Sequence, residues 1–91
     1  MRVTIKVFGG MRESLAGGTL ELSLSDGATL GDVLRALDDG HAELATKLHE
    51  GMAAGYINTL LNGRNARFLQ GDETPLKDGD TVAFLPPVGG G

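Results

Sequence analysis

The sequence contains no cysteine and no tryptophan, and aromatic residues make up only 4% of it. Without cysteine the protein has no disulfide framework, no thiol nucleophile and no thiolate metal ligand. The two histidines, His41 and His49, do not have the i, i+4 spacing of a helical metal site. We therefore expect neither a metal site nor a cofactor in this chain.

Basic residues and long apolar runs are also scarce. Eight lysines and arginines stand against twelve aspartates and glutamates, which gives a net charge of −4. Nucleic-acid binding requires a basic face, so we expect no nucleic-acid partner. An acidic surface suits a protein partner with a basic docking face, although solubility alone is a sufficient reason for it. No segment resembles a membrane span or a signal peptide, and we expect a cytoplasmic protein without a membrane partner.

What the 91 residues do contain is a set of short periodic segments that fit a single small domain. Alternation of apolar and polar residues predicts strands with one buried face. These predicted strands lie at residues 2–8, 19–25, 56–61 and 81–85. The dipeptide Asn62-Gly63 predicts a tight turn, with a return segment that runs to residue 68.

Helical periodicity appears between the second and third predicted strands. Thr29 and Asp32 have the spacing of a capping pair, and they precede apolar residues with the spacing of one helix face. That helix ends at residues 38–40, and a weaker helical pattern covers residues 41–50. Strands followed by helices and then by further strands predict a compact α+β domain.

The C-terminal segment has a composition of its own. Pro86-Pro87 cannot extend a strand ladder, and Gly89, Gly90 and Gly91 add no side chains. Extended, residues 86–91 reach about 20 Å at roughly 3.3–3.6 Å per residue. We expect a domain over residues 1–86 and a flexible tail over residues 87–91 that presents a carboxylate on a thin stalk. A frayed chain end with no function is the alternative.

Residues 76–91 resemble the C-terminal motif of MoaD proteins, which reads L-x-D-G-D-x-V-A-F-[FL]-P-P-V-x-G-G. The first strand, with Ile5-Lys6-Val7-Phe8 followed by Arg12-Glu13, is also similar to that family. ThiS proteins and the archaeal small modifiers share the fold and the Gly-Gly end. The resemblance implies a β-grasp, ubiquitin-like fold, in which a mixed sheet of four to five strands packs against one main helix and a short second helix.

The same resemblance implies a sulfur carrier that is not itself an enzyme. An ATP-using, ubiquitin-activating-type enzyme would adenylate the Gly91 carboxylate, which follows Gly90, and sulfur would then replace the adenylate. The resulting thiocarboxylate would deliver sulfur to an acceptor enzyme, and the chain would be the small subunit of molybdopterin synthase. Because the chain has no cysteine, its sulfur must be carried by another group.

A docking surface follows from the same family fold, in which the first and last strands are parallel neighbours. Phe8 and Leu85 then share the nominally solvent-exposed face close to the tail, and the resemblance adds Leu61. Large apolar residues there predict a partner-binding patch. The tail residues Pro86, Pro87, Val88 and Gly89 would bind the same partners. Cover by loops or by the second helix is the alternative for Phe8 and Leu85.

Other functions use the same features. A ubiquitin-like modifier would be joined through Gly91 to lysines of target proteins. Carriers for thiamin, cysteine or other sulfur-containing metabolites would differ only in the acceptor. A β-grasp interaction module with an inert tail would use none of this chemistry.

Overall fold

The computed structural model describes residues 1–85, apart from the side chains of residues 10, 13, 14 and 16. Within that range the regular elements are β1 (Arg2–Val7), β2 (Thr19–Ser23), α1 (Leu30–Gly40), α2 (Ala42–Ala53), β3 (Asn58–Leu61), β4 (Arg64–Asn65) and β5 (Thr81–Leu85). Among the described residues, no helix is long and apolar enough to cross a membrane.

The five strands form one mixed sheet in the order β2-β1-β5-β3-β4. β1 and β5 are parallel, whereas β2 pairs with β1, and β3 with both β5 and β4, in antiparallel fashion. The predicted α+β class and the parallel pairing of the first and last strands are therefore confirmed. β5, the last of these strands in the chain, occupies the centre of the sheet.

The hydrophobic core lies between one face of the sheet and the two helices. Alternate residues of the central strands are fully buried, such as Ile5, Val82 and Phe84. Leu37 of α1 and Leu48 of α2 are buried in the same cluster. The intervening strand residues point to the opposite, outer face of the sheet, where the exposed side chains of β1 lie.

The second helix is longer than the sequence suggests. It has 12 residues, against 11 in α1, and runs three residues beyond the predicted end at residue 50. Gly51 weakens the sequence signal, yet the helix continues through it, and Ile57 fills the space that a side chain at this position would need. A Cβ added at Gly51 would lie 2.2 Å from Ile57 Cδ1. Glycine at this position is therefore required by tertiary packing, which local helix propensity does not show.

The strand ends also differ from the prediction. β2 ends at Ser23, and its apolar residues are only half-buried because it is an edge strand. The Asn62-Gly63 turn is confirmed, with positive φ at both residues, but β4 is only two residues long. Asn65 Oδ1 accepts a hydrogen bond from the Arg67 amide at 3.0 Å, and a 3₁₀ turn at Ala66–Phe68 forms the rest of the predicted return segment.

Two carboxylates in the turn before β5 fix how β1 and β5 meet. Asp78 Oδ1 accepts the Arg2 amide at 2.7 Å, and Asp80 Oδ2 accepts the Lys77 amide at 2.8 Å. The Thr4 amide donates to the Asp80 carbonyl at 2.9 Å, where the parallel ladder begins. The Asp-Gly-Asp part of the C-terminal motif is thus a structural device that sets the register of the central strand pair.

The capping pair at the start of α1 generates a pH prediction. The Thr29 amide donates to Asp32 Oδ2 at 2.8 Å, and the Arg35 guanidinium pairs with Asp32 Oδ1. The Thr29 hydrogen bond, followed by the Arg35 contact, holds the pKa of the Asp32 carboxyl below its ordinary value. A carboxyl with a lowered folded-state pKa stabilises the protein above its unfolded-state pKa, and that contribution is lost as the pH falls through the folded-state pKa.

We expect Asp32→Ala to lower the free energy of unfolding near neutral pH. The deficit relative to the original chain should shrink once the pH falls below about 3.9, the ordinary aspartate pKa. Urea unfolding of both proteins across this range measures it. Asp39→Ala, which removes the same charge near the other end of α1, should lack the deficit, and a pH-independent deficit in Asp32→Ala would contradict the role of the charge.

Candidate functional site

The C-terminal segment leaves the sheet at the end of β5, the central strand. Leu85, the last residue of β5, is paired with Asn58 of β3, and Phe84 is paired with Val7 of β1. The remaining predicted site residues lie outside the described residues, namely Pro86, Pro87, Val88, Gly89, Gly90 and Gly91. The predicted flexible tail at 87–91 lies outside them as well.

Phe8 and Leu85 are brought to one corner of the outer face. Lys6 and Ala83 are paired in the parallel ladder, and the next outward-facing residue along each chain is Phe8 or Leu85. Phe8 follows β1 with an extended backbone (φ −136°, ψ 167°), so the alternation of the strand continues through it. Phe8 is 40% exposed and Leu85 is half-buried. We call the part of the outer face formed by Phe8 and Leu85 the tail-root corner.

Leu61 does not belong to the tail-root corner, and its expected placement on the outer face is wrong. It is paired with Val82, points into the core and is 8% exposed. Its neighbour Leu60 is paired with Ala83 and therefore lies on the outer face, where both are half-buried. With two adjacent leucines in a short strand, the pairing with β5 decides which of them faces the core.

Cationic side chains flank Phe8. The low number of basic residues in the sequence does not predict such a group. A shallow depression of about 280 Å³ is lined by Lys6, Phe8 and Arg12 together with the loop at Gly18. Gly18 has φ +70° and approaches β1 so closely that a Cβ would lie 3.1 Å from the Val7 carbonyl oxygen. The close approach requires glycine, and it holds the Arg12 segment against the end of β1.

The tail-root corner presents a phenyl ring, aliphatic side chains and cationic groups, which suit the docking of a protein. The two histidines lie elsewhere: His41 lies between α1 and α2, and His49 lies on α2, where its Nε2 is 3.0 Å from Asp38 Oδ1. In the part of the chain that the structure describes, histidine, aspartate and glutamate side chains form no cluster of three that could hold a metal ion.

Comparison with known protein families gives a match over nearly the whole chain. The model of the ThiS family matches residues 5–91. Small archaeal modifier protein 3 of Haloferax volcanii is 39% identical over 92 residues, which cover all of both chains. The sulfur carrier protein CysO of Mycobacterium tuberculosis is 33% identical over 95 residues, again covering all of both.

Solved structures share the fold. SAMP1 from Haloferax volcanii has a TM-score of 0.79 and 30% identity, with all of each chain covered. A chain in the complex of subunits 1 and 2 of the molybdopterin-converting factor from Helicobacter pylori has a TM-score of 0.64 and 26% identity, also with full coverage. The arrangement of sheet and helices is therefore the β-grasp of this group of proteins, as the motif resemblance implies.

The opposite orientations of Leu60 and Leu61 generate a prediction with a built-in control. Leu61→Ala should reduce the free energy of unfolding by about 2–5 kcal/mol, because it leaves a cavity in the core. Leu60→Ala should cost no more than about 1 kcal/mol, since its side chain lies on the outer face. Urea unfolding of the two variants measures both values. Equal costs, or a larger cost at Leu60, would contradict the register of β3 against β5.

Proposed function

Because the chain belongs to the ThiS family, which comprises ubiquitin-like sulfur carriers and protein modifiers, we propose that it carries sulfur as a thiocarboxylate on Gly91. Its relatives are small carriers and modifiers rather than catalysts. The observation that carries the proposal is the position of Leu85. The central strand ends at the outer-face corner beside Phe8, so whatever follows Leu85 starts next to a surface suited to a partner enzyme.

The chemistry proceeds through an activated acyl group, because a carboxylate is a poor acyl donor. A carboxylate oxygen of Gly91 attacks the α-phosphorus of ATP bound to an activating enzyme, and pyrophosphate leaves. A sulfide equivalent then attacks the carbonyl carbon of the acyl adenylate, and AMP leaves with the bonding electron pair. The adenylate must be kept from water, so the reaction belongs inside the partner's active site.

The C-terminal sequence suits insertion into such a site. Gly89, Gly90 and Gly91 bring no side chains that a narrow channel would exclude. Pro86-Pro87 favours a path that departs from the sheet. In this proposal residues 87–91 form the inserted tail, and the tail-root corner docks on the rim of the channel through Phe8 and Leu85.

For the acceptor, we propose the role of a MoaD-type small subunit of molybdopterin synthase, with a larger subunit that receives the sulfur. The support is the C-terminal motif at residues 76–91 and the structural likeness to one chain of the Helicobacter pylori complex. Carriers that serve thiamin, cysteine or other metabolites would use the same loaded terminus with a different acceptor.

A second function, protein modification, is favoured by the 39% identity with small archaeal modifier protein 3 over the full length of both chains. The activated Gly91 is common to both functions, and they differ in the nucleophile. Sulfide gives a thiocarboxylate, whereas the ε-amine of a target lysine displaces AMP to give an isopeptide bond.

Mass spectrometry of the protein from its native cell tests this proposal. We expect the intact mass to show replacement of one oxygen by sulfur at Gly91, because loading exchanges a carboxylate oxygen. Diglycine remnants on lysines of other proteins would instead identify the modifier. A variant that lacks Gly90 and Gly91 is the control and should show neither. An unmodified terminus in both proteins would leave an inert interaction module and overturn the proposal.

Variants of the tail-root corner test the docking surface. Phe8→Ala should weaken binding to the purified activating enzyme by about tenfold or more, the usual effect of removing an aromatic anchor. Leu85→Asp should do the same, because it places a charge on the apolar patch. Isothermal titration calorimetry measures the affinity, and circular dichroism checks that the fold survives. Thr46→Ala, on the exposed side of α2, is the control. Unchanged affinity in folded variants would remove the corner from the interface.

A further inference from the structure

The sheet ends at β2 on one side, and we call the outer side of that strand the open edge. Among the strands that the structure describes, β2 pairs with β1 alone. An open edge presents backbone N–H and C=O groups that can pair with a further strand. Lysine, proline or a bulge often protects such an edge, but β2 contains neither residue and pairs with β1 without a bulge. The open edge is therefore suited to strand pairing.

The hydrogen bonds at the end of β2 show which of its backbone groups face the open edge. The Met1 ammonium donates to the Leu24 carbonyl at 2.8 Å, and the Leu24 amide donates to the Met1 carbonyl at 2.8 Å. In an antiparallel pair, residues that exchange bonds in this way recur at every second position. The even-numbered residues of β2 therefore bond to β1. The odd-numbered residues direct their N–H and C=O groups to the open edge, namely Thr19, Glu21 and Ser23.

The backbone of β1 gives an independent check of this assignment. The Thr4 amide donates to the Asp80 carbonyl at 2.9 Å, on the side of β1 that faces β5. Its neighbours in β1 therefore direct their backbone groups to β2. One of these neighbours is Ile5, which is paired with Leu20 of β2. An even-numbered residue of β2 thus bonds to β1, in agreement with the Met1–Leu24 pair.

The side chains along the open edge alternate between an apolar and a polar stripe. The leucines at positions 20, 22 and 24 are half-buried against the hydrophobic core. The residues between them are exposed on the outer face of the sheet. The charge of Glu21 is balanced within the chain, because Arg2 Nη1 lies 3.8 Å from Glu21 Oε2. A further strand with the same alternation would continue both stripes.

A second copy of β2 supplies such a strand in one particular register. If Glu21 lay on the axis of a two-fold antiparallel pair, it would face its own copy, and like charges in that position are destabilising. If Ser23 lay on the axis, Leu20 would have no leucine opposite it. With Leu22 on the axis, Leu20 faces Leu24 of the second copy. Glu21 then faces Ser23, and the edge-facing backbone groups of both residues meet.

The same register brings opposite charges together at both ends of the joined edge. With Leu22 on the axis, position 26 of one copy lies opposite position 18 of the other. The Asp26 side chain is fully exposed. Arg12 lies against Gly18, with its Nε atom 3.2 Å from the place of a Cβ, and Lys6 lines the same depression. Each copy therefore offers an acidic turn to the cationic group of the other.

We propose that the chain forms a two-fold dimer in which the two β2 strands pair in antiparallel fashion around Leu22. The two five-stranded sheets then form one continuous sheet. Backbone groups of Glu21 and Ser23 exchange hydrogen bonds across the joined edge, and the leucines pack on its core face. β1 separates β5 from this edge, so the tail of each copy remains available to a partner enzyme. The dimer does not depend on the chemistry proposed for Gly91.

Analytical ultracentrifugation of the full chain measures the association. We expect the average mass to rise from that of one chain towards that of two between about 10 µM and about 1 mM, a range that covers weak specific association. The tail takes no part in the contact, so a chain that lacks Gly90 and Gly91 should associate equally well. That variant separates the dimer from the function proposed for the terminus.

Amide hydrogen exchange, read by NMR on ¹⁵N-labelled protein, locates the interface. The amides of Glu21 and Ser23 face the open edge, so they should exchange rapidly in dilute protein. In the dimer they should exchange at least about tenfold more slowly, because they become hydrogen-bonded. The amides of Leu20 and Leu22 bond to β1 and should be protected at every concentration. They are the internal control.

Variants test the backbone pairing and the charge contact. Ser23→Pro removes an edge-facing N–H, and proline is tolerated where that group faces solvent, so the variant should fold but stay monomeric. Ser23→Ala keeps the N–H and should dimerise like the original chain. Arg12→Gln should weaken the dimer several-fold, because it removes a cation opposite Asp26. Circular dichroism checks the fold, and the exchange measurement needs no variant at all.

Several results would overturn the proposal. A chain that stays monomeric at about 1 mM lacks the association. A dimer with slowed exchange only outside β2 has its interface elsewhere. Protection of the Glu21 and Ser23 amides at every concentration would show that a single chain covers its own edge. Protection that appears only after another protein is added would assign the edge to a partner's strand. Equal dimerisation of Ser23→Pro and Ser23→Ala would exclude backbone pairing.

Discussion

The parallel pairing of β1 with β5 is the constraint on which the rest of the structure depends. It brings the two ends of the described chain into one ladder, and the Asp78 and Asp80 carboxylates fix where that ladder begins. Once the register is set, strand alternation sends Ile5, Val82 and Phe84 into the core. The same alternation places the intervening residues on the outer face. Core, outer face and tail-root corner are thus three results of one pairing.

Much of this fold could be predicted from the sequence, because the strongest signals are local. Alternation identified β1 and β5, the Thr29–Asp32 pair identified the start of α1, and Asn62-Gly63 identified a hairpin turn. The parallel pairing came from resemblance to a family, since strand order is a long-range property. The length of α2 was underestimated because Gly51 indicates a helix end in the sequence, whereas in the structure its missing side chain makes room for Ile57. The predicted orientation of Leu61 was wrong for a related reason. Its pairing with Val82 of β5 directs the Leu61 side chain into the core.

The candidate surfaces were predictable to different degrees. The shared position of Phe8 and Leu85 follows from the alternation of side chains along two parallel strands, so it could be predicted from the sequence. The cationic groups beside Phe8 could not, since Arg12 is brought to the end of β1 by the close approach of the Gly18 loop. Net charge also concealed them, because a total of −4 averages over the whole surface.

The central position of β5 has a consequence for how the protein is made. Translation produces β1 first and β5 last of the five strands, yet the sheet is completed only when β5 enters between β1 and β3. Contacts between the two ends of a chain close slowly, because a long loop must be ordered before they form. A nascent chain that stops short of residue 81 leaves β1 and β3 with unpaired edges, and such edges promote aggregation and proteolysis. Completion of the fold therefore acts as a check on synthesis, because a molecule with an intact sheet has been translated at least through β5.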